Sequence, residues 1–392
     1  MELLSAPVLW TGALLLRTER IEMDLKESRE VIRQVDEEMA KLFERRMEAV
    51  REVAAYKKER GLPIEDKEQE VRVIKGRSAL IENPELRSFY VNFLQDTMDI
   101  SKRWQNYLMK GLKVAYSGVE GAFAHIAAGR IFPDGTLESY PSFESAYDAV
   151  ERGECDVAVL PIENSFAGEV GQVLDLMFSG NLYVNGVYDL SINQNLLAVP
   201  GASLSDIKTV LSHPQAISQC RAYIQKYGFG VISTANTALA AQKVAKDGDR
   251  SAAAIASEET AALYGLEVLD HDINESRTNT TRFAVFSRVE NKVTGKRDGS
   301  AFLLLFTVKD EAGGLAKAIN VISAYNFNMR VLRSRPMKGL AWHYYFYAEV
   351  EGDDSSENGR RMISALRGTC PGLKVVGRYT ATENAHQGGE TI

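Results

Sequence analysis

The sequence has few of the residues that build disulfide frameworks or metal sites. Its 392 residues include three cysteines, Cys155, Cys220 and Cys370, which lie far apart and form no Cys-x-x-Cys pair. This number and spacing exclude a disulfide framework and a thiolate zinc site. The five histidines are scattered without metal-ligand spacing. We therefore expect no metal and no organic cofactor, and a reducing, cytoplasmic compartment.

The sequence also lacks a long basic run and an apolar run long enough for a membrane span. The formal net charge is −7, which argues against nucleic acid as a partner. Leu3 to Leu16 is apolar but too short to cross a bilayer, and no basic segment precedes it. We expect residues 1–22 to be an extension without a fixed role, or to reflect a start codon placed too early, with Met23 as the true start. A signal peptide is the alternative, because the apolar length matches the core of one.

Residues 24–110 have the composition of an all-helical domain. From Ser28 to Arg60 there is neither glycine nor proline, and apolar residues recur at three- and four-residue steps. A helix over these residues would be roughly 50 Å long and would need a packing partner along its length. A Gly-Leu-Pro break ends it. After a second helical stretch, Asn83 and Pro84 begin a third helix.

Four polar residues fall on the inward, apolar faces of these helices. Arg46 and Lys57 lie on the first helix, about 16 Å apart along nearly the same face. Ser101 and Gln105 form an i, i+4 pair on the third. Either cation alone could extend its charged end into solvent. Together the four residues predict a preformed pocket for an anion.

At these positions the segment resembles the small all-helical chorismate mutases. The residues that carry the resemblance, at the family's spacing, are Arg29, Asp36, Glu37, Arg46, Lys57, Pro63, Ile64, Asp66, Glu70, Ser101 and Gln105. The resemblance implies that chorismate, a dianion, rearranges to prephenate without covalent catalysis. Arg29 and Arg46 would clamp its carboxylates. Lys57 and Gln105 would hydrogen-bond the ether oxygen as the C–O bond breaks. Ser101, Asp66 and Glu70 would position the substrate.

The position of Arg29 has a consequence for assembly. Arg29 lies 28 residues before Lys57, so the two are roughly 42 Å apart along a straight helix. Both cannot contact one small molecule from the same chain. If both contribute, Arg29 comes from a partner chain, and the protein is an intertwined dimer, as in the family, or a higher oligomer. Gln69 stands where the family usually has arginine, which removes a charge-assisted contact and weakens the expected chorismate binding.

Residues 112–290 change to short β-rich runs that alternate with helices, which predicts an α/β unit. A strand of the buried type, Asp156–Leu160, is followed closely by Glu163, Asn164 and Ser165. Polar groups after the carboxyl end of a strand are where open α/β sheets bind ligands. We therefore expect two lobes with a cleft between them.

A second polar stretch, Asn279-Thr280-Thr281-Arg282, precedes an alternating apolar run that is typical of a strand. Hydroxyls and a guanidinium at the mouth of a strand suit the binding and protonation of a small anionic substrate. A threonine-rich turn before an ordinary strand is the alternative.

Together these stretches resemble prephenate dehydratase across the whole segment. The matching pieces are Gly118–Phe123, Val159–Ser165, Ser212–Pro214, Gln219-Cys220, Tyr264–Leu266 and Asn279–Phe283. The resemblance implies a two-lobed fold similar to periplasmic binding proteins. It implies that Thr281 is the acid-type group that helps the ring hydroxyl of prephenate leave as carbon dioxide is lost and phenylpyruvate forms. Arg282 would pair with a substrate carboxylate or hold the loop. Other residues would line the cleft, namely Asn164, Ser165, Ser212 and Gln219, with Glu163 in support.

Residues 300–380 have the strand–helix–strand–strand–helix–strand order of a ferredoxin-like module. They resemble an ACT domain, an amino-acid-sensing module. The positions that match its effector motifs are Gly313, Gly314, Leu315, Ser334, Arg335 and Pro336. Arg333 stands where the family usually has glutamate, so a charge is reversed beside the expected phenylalanine site. A purely structural dimerisation module is the alternative.

The resemblances cover residues 24–380 and imply a bifunctional enzyme of phenylalanine biosynthesis, with multidomain α and α/β architecture and feedback inhibition by phenylalanine. Two alternatives stay open. Gln69 leaves room for a dehydratase whose helical domain serves only dimerisation. A non-catalytic, amino-acid-responsive binding protein would combine the same two-lobed fold and sensor, and it predicts that Thr281→Ala changes nothing.

Overall fold

The computed structural model describes residues 24–276, 278–290, 300–340 and 342–380. The expectation for residues 1–22 lies outside these ranges. The chain forms two compact units that divide between Lys110 and Gly111. Within the described ranges, no helix is both long enough and apolar enough to cross a membrane.

The first unit is all helical, as the sequence predicts. Its helices are α1 (Leu25–Arg60), α2 (Lys67–Ser78) and α3 (Pro84–Lys110). Asp24 caps α1 at its start, and Gly61 ends it in the left-handed conformation that glycine adopts at low cost. Asn83 accepts a hydrogen bond from the backbone N–H of Glu85 at the start of α3.

The apolar stripe of α1 is covered in this chain only toward its C-terminal half. α1 packs on α3, where Ala54, Leu94, Ser101 and Gln105 are buried. Toward the start of α1 the apolar side chains are exposed, namely Leu25, Val31, Ile32, Val35, Met39, Leu42 and Phe43. An exposed stripe of this length marks a surface that another chain can cover.

The second unit begins with an α/β lobe, hereafter lobe 1. Its elements are β1 (Lys113–Ser117), α4 (Phe123–Ile131), β2 (Thr136–Tyr140), α5 (Phe143–Glu151), β3 (Val157–Asn164), β4 (Gly168–Glu169), α6 (Gly171–Ser179) and β5 (Tyr183–Ser191). The chain returns to it with β11 (Thr280–Ser287), which pairs antiparallel with β3 and β5.

Lobe 2 is the segment between β5 and β11. It holds β6 (Asn195–Ala198), β7 (Thr209–Ser212), α7 (Pro214–Gln219), α8 (Arg221–Tyr227), β8 (Gly230–Ser233), α9 (Thr237–Asp247), β9 (Ala252–Ala256), α10 (Glu258–Tyr264) and β10 (Glu267–Asp270). Its five strands form a separate sheet in the order β10-β6-β9-β7-β8. Two crossover segments, residues 192–194 and the described residues between Asp270 and Thr280, join the lobes, so the predicted two-lobed form is present.

The C-terminal module has the predicted ferredoxin-like order. It consists of β12 (Ser300–Thr307), α11 (Gly314–Ala324), β13 (Met329–Pro336), β14 (Tyr344–Glu351), α12 (Glu357–Thr369) and β15 (Gly372–Thr380). Alternate residues of β12 face opposite sides: Phe302, Leu304 and Phe306 pack with the module's helices, and Leu303 and Leu305 pack with lobe 1. Because both faces are covered, β12 is apolar throughout.

Lobe 1 and the C-terminal module share one ten-stranded sheet, with the path β13-β14-β12-β15-β5-β11-β3-β1-β2 and with β4 paired to β3 beside this path. The junction is the parallel pair of β15 and β5, where Gly377 lies opposite Val184. A Cβ on Gly377 would lie 1.9 Å from the carbonyl oxygen of Val184, so only glycine permits this approach. The division into domains at 112–290 and 300–380 stays a prediction, because these parts form one compact unit here.

Candidate active sites

A cavity of about 540 Å³ lies between lobes 1 and 2. Asn164, Thr281 and Phe283 line it from lobe 1, and Gln215 and Gln219 line it from lobe 2. The crossover residues Ile192 and Gln194 contribute to the same wall. This is the cleft that the sequence predicts, and it contains Asn164, Gln219 and Thr281.

Asn164 and Thr281 are brought together by strand pairing. They lie opposite each other in the antiparallel pair β3–β11, and both side chains are more than nine-tenths buried. Asn164 Nδ2 donates a hydrogen bond of 2.9 Å to Thr281 Oγ1. Two residues that are 117 positions apart in sequence therefore form one polar pair at the cavity wall.

The orientation of the Asn164 amide is set by its other contacts. Its Oδ1 accepts hydrogen bonds from the backbone N–H groups of Phe166 (3.0 Å) and Ala167 (2.8 Å). A backbone N–H can only donate, so the oxygen of the amide must face them and the NH2 group must face Thr281. Nδ2 also donates to Asn279 Oδ1 at 3.0 Å.

A hydrogen bond donated to a hydroxyl oxygen changes what that hydroxyl can do. It stabilises negative charge on Thr281 Oγ1, and so makes the hydroxyl a better proton donor to a group in the cavity. In a site shielded from water this stabilisation is stronger than in bulk solvent. The pair can therefore protonate a leaving group, which threonine alone does poorly.

No Lys, Arg, Asp or Glu is among the described residues that line the cavity. Instead, the N-terminal ends of five helices reach it: Ala122 and Phe123 at α4, Ser142 and Phe143 at α5, Val170 and Gln172 at α6, His213 and Gln215 at α7, and Asn236 and Thr237 at α9. The first turn of a helix carries partial positive charge. Ala122 at the cap of α4 provides no side-chain hydrogen bond to that turn. The cavity therefore attracts anions through backbone dipoles.

Gln215 is a cavity residue that the sequence interpretation missed. Its Nε2 lies 3.4 Å from Asn164 Oδ1, so it adds to the contacts that orient this amide. Gln215 follows the Ser-His-Pro motif directly, and this adjacency at the start of α7 is the signal that could have identified it.

Glu163 and Arg282 differ from their predicted substrate-binding role. β3 does not end at Leu160 but continues to Asn164, so Glu163 and Asn164 face opposite sides of the sheet. The same alternation separates Arg282 from Thr281 on β11. Among the described residues, neither Glu163 nor Arg282 lines the cavity.

Arg282 instead joins β11 to the C-terminal module. Its guanidinium donates to both carboxylate oxygens of Glu349, at 2.8 and 3.3 Å, and to the hydroxyl of Tyr379 at 3.1 Å. Glu163 Oε2 lies 3.6 Å away. Although burial alone would lower the pKa of Arg282, the bond with Glu349 raises it above its ordinary value. Of the two predicted roles, pairing with a substrate carboxylate has no support in this geometry.

Ser165 and Ser212 also lie outside the cavity lining. Ser165 Oγ accepts from the backbone N–H of Thr280 at 2.9 Å and donates to the carbonyl of Thr278 at 3.2 Å, so it holds the turn before Thr281. Ser212 is fully buried and donates to the carbonyl of Ile255 at 2.7 Å, which ties β7 to β9. Their hydroxyls are already engaged with backbone groups.

The helical unit collects most of its predicted polar residues in one region. Arg46 donates to Ser101 Oγ and, at 3.4 Å, to the carbonyl of Thr97. Burial, together with the neighbouring charge of Arg77, lowers the pKa of Arg46. Gln105 is buried, and its Oε1 has no hydrogen-bond partner among the described residues. A partly desolvated cation and an unsatisfied buried amide in the same helical unit suit a polar anionic ligand.

The other predicted mutase residues have local contacts. Lys57 Nζ donates to the carbonyl of Ile64 at 2.7 Å. Asp66 caps α2 by accepting from the backbone N–H of Gln69 at 2.9 Å. Glu70 pairs with Lys102 at 3.4 Å, and Lys102 is a cation of this region that the sequence interpretation missed.

Arg29 is not brought to this region. It is exposed on the second turn of α1. The helix runs without interruption from Leu25 to Arg60, so Arg29 stays roughly 26 Å from Arg46 along the axis. A single chain does not bring Arg29 together with the other predicted residues.

The predicted effector residues lie in two places of the C-terminal module. Gly313 precedes α11 in a left-handed conformation, and a Cβ on Gly314 would lie 2.4 Å from the carbonyl oxygen of Lys309. Leu315 packs at the edge of the module's core. On the edge strand β13 are Ser334, Arg335 and Pro336.

Two arginines of β13 contact lobe 1. Arg335 Nε donates to Asp175 Oδ1 at 3.1 Å, and Arg333 pairs with Glu163 at 2.9 Å and Glu169 at 3.3 Å. The reversed charge at position 333 is therefore matched by carboxylates of lobe 1.

That the protein binds no metal ion stays a prediction. Among the described residues, no group of three or more His, Cys, Asp or Glu side chains could hold a metal ion.

Comparisons with known proteins find a matching family model in each of the two units. The family model "Chorismate mutase type II" matches residues 28–106. The family model "Prephenate dehydratase" matches residues 114–291. The two matches follow the helical unit and the two lobes described above.

Three similar proteins extend this result. The bifunctional chorismate mutase/prephenate dehydratase of Escherichia coli (strain K12) is 31% identical over 366 residues, covering 90% of this chain and 95% of that protein. Arogenate dehydratase/prephenate dehydratase 2, chloroplastic, of Arabidopsis thaliana is 34% identical over 277 residues, covering 68% of this chain and 72% of that protein. The structure of prephenate dehydratase in complex with L-Phe from Arthrobacter aurescens has a TM-score of 0.65 at 26% identity. The match covers 70% of this chain and 92% of that chain.

A helical unit with a desolvated cation and a two-lobed unit with a polarised hydroxyl define an enzyme with two sites for small anionic substrates. The chain belongs to the family of bifunctional chorismate mutase/prephenate dehydratases. It converts chorismate to prephenate by a Claisen rearrangement and prephenate to phenylpyruvate by decarboxylative dehydration, in phenylalanine biosynthesis.

Proposed function

We propose that Thr281 is the proton donor of the dehydratase reaction and that Asn164 polarises it. The observation that carries this proposal is the 2.9 Å hydrogen bond from Asn164 Nδ2 to Thr281 Oγ1 inside the cavity. As the C4–O bond of prephenate breaks, the departing oxygen takes the proton of Thr281 and leaves as water. The ring carboxylate leaves as carbon dioxide, and the electron pair of its C–C bond makes the ring aromatic. Solvent returns a proton to Thr281.

The two carboxylates of prephenate bind against the helix N-termini rather than against arginines. Support comes from a lining without Lys, Arg, Asp or Glu and from the helix N-termini at the cavity. Gln219 and Asn164 line the same wall and supply amide groups. A lining of dipoles leaves no fixed positive charge to trap the monoanionic product, so release of phenylpyruvate is favoured.

In the mutase reaction, Arg46 binds a carboxylate of chorismate, and Lys57 and Gln105 contact the ether oxygen. Support comes from the lowered pKa of Arg46 and the unsatisfied buried amide of Gln105. Ser101 orients Arg46 through its hydrogen bond. Asp66 and Glu70 shape the start of α2, which borders this region.

Arg29 completes the mutase site from a second copy of the chain in an intertwined dimer. The uninterrupted helix α1 keeps Arg29 away from its own Arg46. The exposed apolar stripe at the start of α1 provides the surface that the second copy covers.

Phenylalanine inhibits the enzyme through the C-terminal module, which acts as an ACT-type sensor. The Arthrobacter aurescens relative is described in complex with L-Phe, and this supports the effector. The route to the cavity runs through β11 and β3, because Arg282 and Glu163 bond the module on one face while Thr281 and Asn164 face the cavity on the other. A shift of Glu349 or Arg333 on effector binding therefore acts on the strands that hold the catalytic pair.

The enzyme works in the cytoplasm. All three cysteines are free and buried, which suits a reducing compartment.

One experiment tests the two activities together. Chorismate is supplied as the only substrate, and prephenate and phenylpyruvate are followed separately, with and without phenylalanine. The proposal predicts that phenylpyruvate appears and that phenylalanine slows it. Thr281→Ala should stop phenylpyruvate formation and leave prephenate accumulating at the wild-type rate. If Thr281→Ala forms phenylpyruvate as fast as the wild type, the assignment of Thr281 is wrong.

A further inference from the structure

Gln215 reaches across the cleft to the amide that hydrogen-bonds Thr281. It belongs to lobe 2 and lines the cavity, whereas Asn164 and Thr281 lie on paired strands of lobe 1. Gln215 Nε2 lies 3.4 Å from Asn164 Oδ1, and Asn164 Nδ2 lies 2.9 Å from Thr281 Oγ1. Side chains from both lobes therefore form one series of hydrogen-bonding groups, which ends at the proposed proton donor.

The start of α7 fixes the backbone from which this side chain extends. The backbone N–H of Gln215 donates to His213 Nδ1 at 3.2 Å. Pro214 occupies the first position of the helix, where a missing N–H costs nothing. Ala216, the next residue, is buried in the core of lobe 2. The backbone is therefore held on both sides of Gln215, while its half-buried side chain stays free to adjust at the cavity wall.

The end of the Gln215 amide that faces Asn164 is determined by hydrogen-bond chemistry. Asn164 Oδ1 can only accept, so the NH2 group of Gln215 faces it. Each N–H directed at Oδ1 draws electron density toward that oxygen and makes the Nδ2 hydrogens stronger donors. Backbone N–H groups of Phe166 and Ala167 already contact Oδ1. A further donor from lobe 2 therefore strengthens the hydrogen bond that Asn164 gives to Thr281.

The contact across the cleft is longer than the contacts within lobe 1. The backbone N–H groups of Phe166 and Ala167 lie 3.0 and 2.8 Å from Asn164 Oδ1. Gln215 Nε2, at 3.4 Å, lies beyond the usual range of an N–H···O hydrogen bond. Catalytic hydrogen bonds are often long without substrate and shorten when it binds. Two lobes joined by crossover segments can close around a ligand, and a small closure completes this bond.

We propose that Gln215 is a positioning residue of the dehydratase, which completes the proton donor from lobe 2 when the cleft closes on prephenate. Nε2 then donates a full hydrogen bond to Asn164 Oδ1, and Asn164 polarises Thr281 more strongly. Thr281 is therefore most acidic while the substrate is enclosed, which couples proton transfer to closure of the lobes. This inference rests on the proposed roles of Asn164 and Thr281.

The test is a double-mutant cycle between Gln215 and Asn164. Gln215→Met keeps the length of the side chain and removes its donor. We expect kcat for prephenate to fall about fivefold or more, the scale of one hydrogen bond. KM should stay within about twofold, because the lost bond acts on the proton donor and not on the substrate. In the Asn164→Ala background the same substitution should lower kcat by less than about twofold, since the residue through which Gln215 acts is absent.

Two controls separate this effect from a general disturbance of the fold. Mutase activity on chorismate belongs to the helical unit and should equal that of the wild type in every variant. Gln225→Met is the matched substitution, because Gln225 is exposed on the neighbouring helix α8. It should leave both kcat and KM for prephenate unchanged.

Three results would overturn the proposal: an unchanged kcat in Gln215→Met, a loss confined to KM, or a loss of kcat that is equally large in the Asn164→Ala background. A loss confined to KM would mean that Gln215 contacts the substrate itself. Asn164→Ala is measured alongside. If Asn164→Ala loses dehydratase activity and Gln215→Met does not, only the inference about Gln215 fails. If Asn164→Ala keeps the wild-type kcat, the proposed polarisation of Thr281 fails first.

Discussion

At the scale of single residues, the dehydratase site depends on an amide whose two ends are held in different ways. Backbone N–H groups of Phe166 and Ala167 hold Asn164 Oδ1, and this leaves Nδ2 to face Thr281. The geometry needs no titratable group. A neutral donor fixed in place before the reaction stabilises developing charge without reorganisation.

Asn164→Ala should lower kcat of the dehydratase about 100-fold or more, the loss typical for one preorganised donor to a developing negative charge. The reason is that Thr281 Oγ1 loses the hydrogen bond that makes it a better acid. Steady-state kinetics with prephenate measures this. Mutase activity on chorismate serves as the internal control. A loss confined to KM would mean that Asn164 binds the substrate without assisting the proton transfer.

At the scale of elements, the pair β3–β11 has two faces with different tasks. One face carries Asn164 and Thr281 toward the cavity, and the other carries Glu163 and Arg282 toward the C-terminal module. Side chains that alternate along a strand make this separation inevitable once both strands are paired. Asn164 and Thr281 are therefore neighbours in the chain of the residues that contact the module, although the two sets face opposite ways.

The Arg282–Glu349 pair offers a double-mutant cycle. Glu349 is 1% exposed, so either Arg282→Met or Glu349→Gln alone should lower the free energy of unfolding by about 3 kcal/mol, because a buried charge loses its partner. The double variant should recover part of this loss. Urea unfolding of all four proteins gives the coupling energy. If the two losses of unfolding free energy simply add in the double variant, the Arg282–Glu349 pair does not join β11 to the C-terminal module.

Inhibition by phenylalanine should also change in the double variant that combines Arg282→Met with Glu349→Gln. If Arg282 carries the signal, the double variant keeps dehydratase activity and loses most of its inhibition by phenylalanine, because effector and cavity are no longer linked through β11. Initial rates across a phenylalanine titration test this. Lys243→Met, on an exposed ion pair of lobe 2, is the control and should be inhibited as strongly as the wild type.

The junction of the shared sheet makes a separate prediction. Gly377→Ala should destabilise the protein by about 1–3 kcal/mol, because overpacking displaces β15 from β5 where a Cβ has no room. Thermal unfolding followed by circular dichroism measures it. Gly368→Ala is a suitable comparison, since a Cβ there meets nothing within 4 Å. Equal unfolding temperatures for the two variants would contradict a tight junction.

At the scale of the whole molecule, a long helix and an exposed apolar stripe support the proposed intertwined dimer. α1 has 36 residues, and its N-terminal apolar residues are exposed in the single chain. Such a helix is not stable in water without packing along its length. In the proposed dimer, the second chain stabilises α1 and receives Arg29 in its mutase site.

Complementation tests the shared site. Arg29→Ala and Lys57→Ala homodimers should each lack mutase activity. The mixture of the two variants should regain about a quarter of the wild-type activity, since about half of the random dimers are mixed and each mixed dimer holds one intact site of two. The mixture is formed by co-expression and assayed with chorismate. Dehydratase activity, which uses neither residue, normalises the samples. No recovery in the mixture would mean that each site is built from one chain.

The sequence by itself determined the order of helices and strands and the family. Glycine and proline set the ends of the long helices, and alternating apolar residues marked the strands, because these signals act over a few neighbouring positions. The bounds of α1 and α3 agree with the prediction within a few residues. Thr281, Asn164 and Gln219 were also found as cavity residues from their motifs.

Only the tertiary structure decided which polar residue of each motif faces the cavity. Glu163 and Arg282 belong to the same motifs as Asn164 and Thr281, yet they bond the C-terminal module, because β3 runs on to Asn164 and strand alternation turns neighbours apart. Gln194 carries no motif at all. It lines the cavity because Asn274, from the other crossover segment, holds its backbone there, and this contact joins distant parts of the chain.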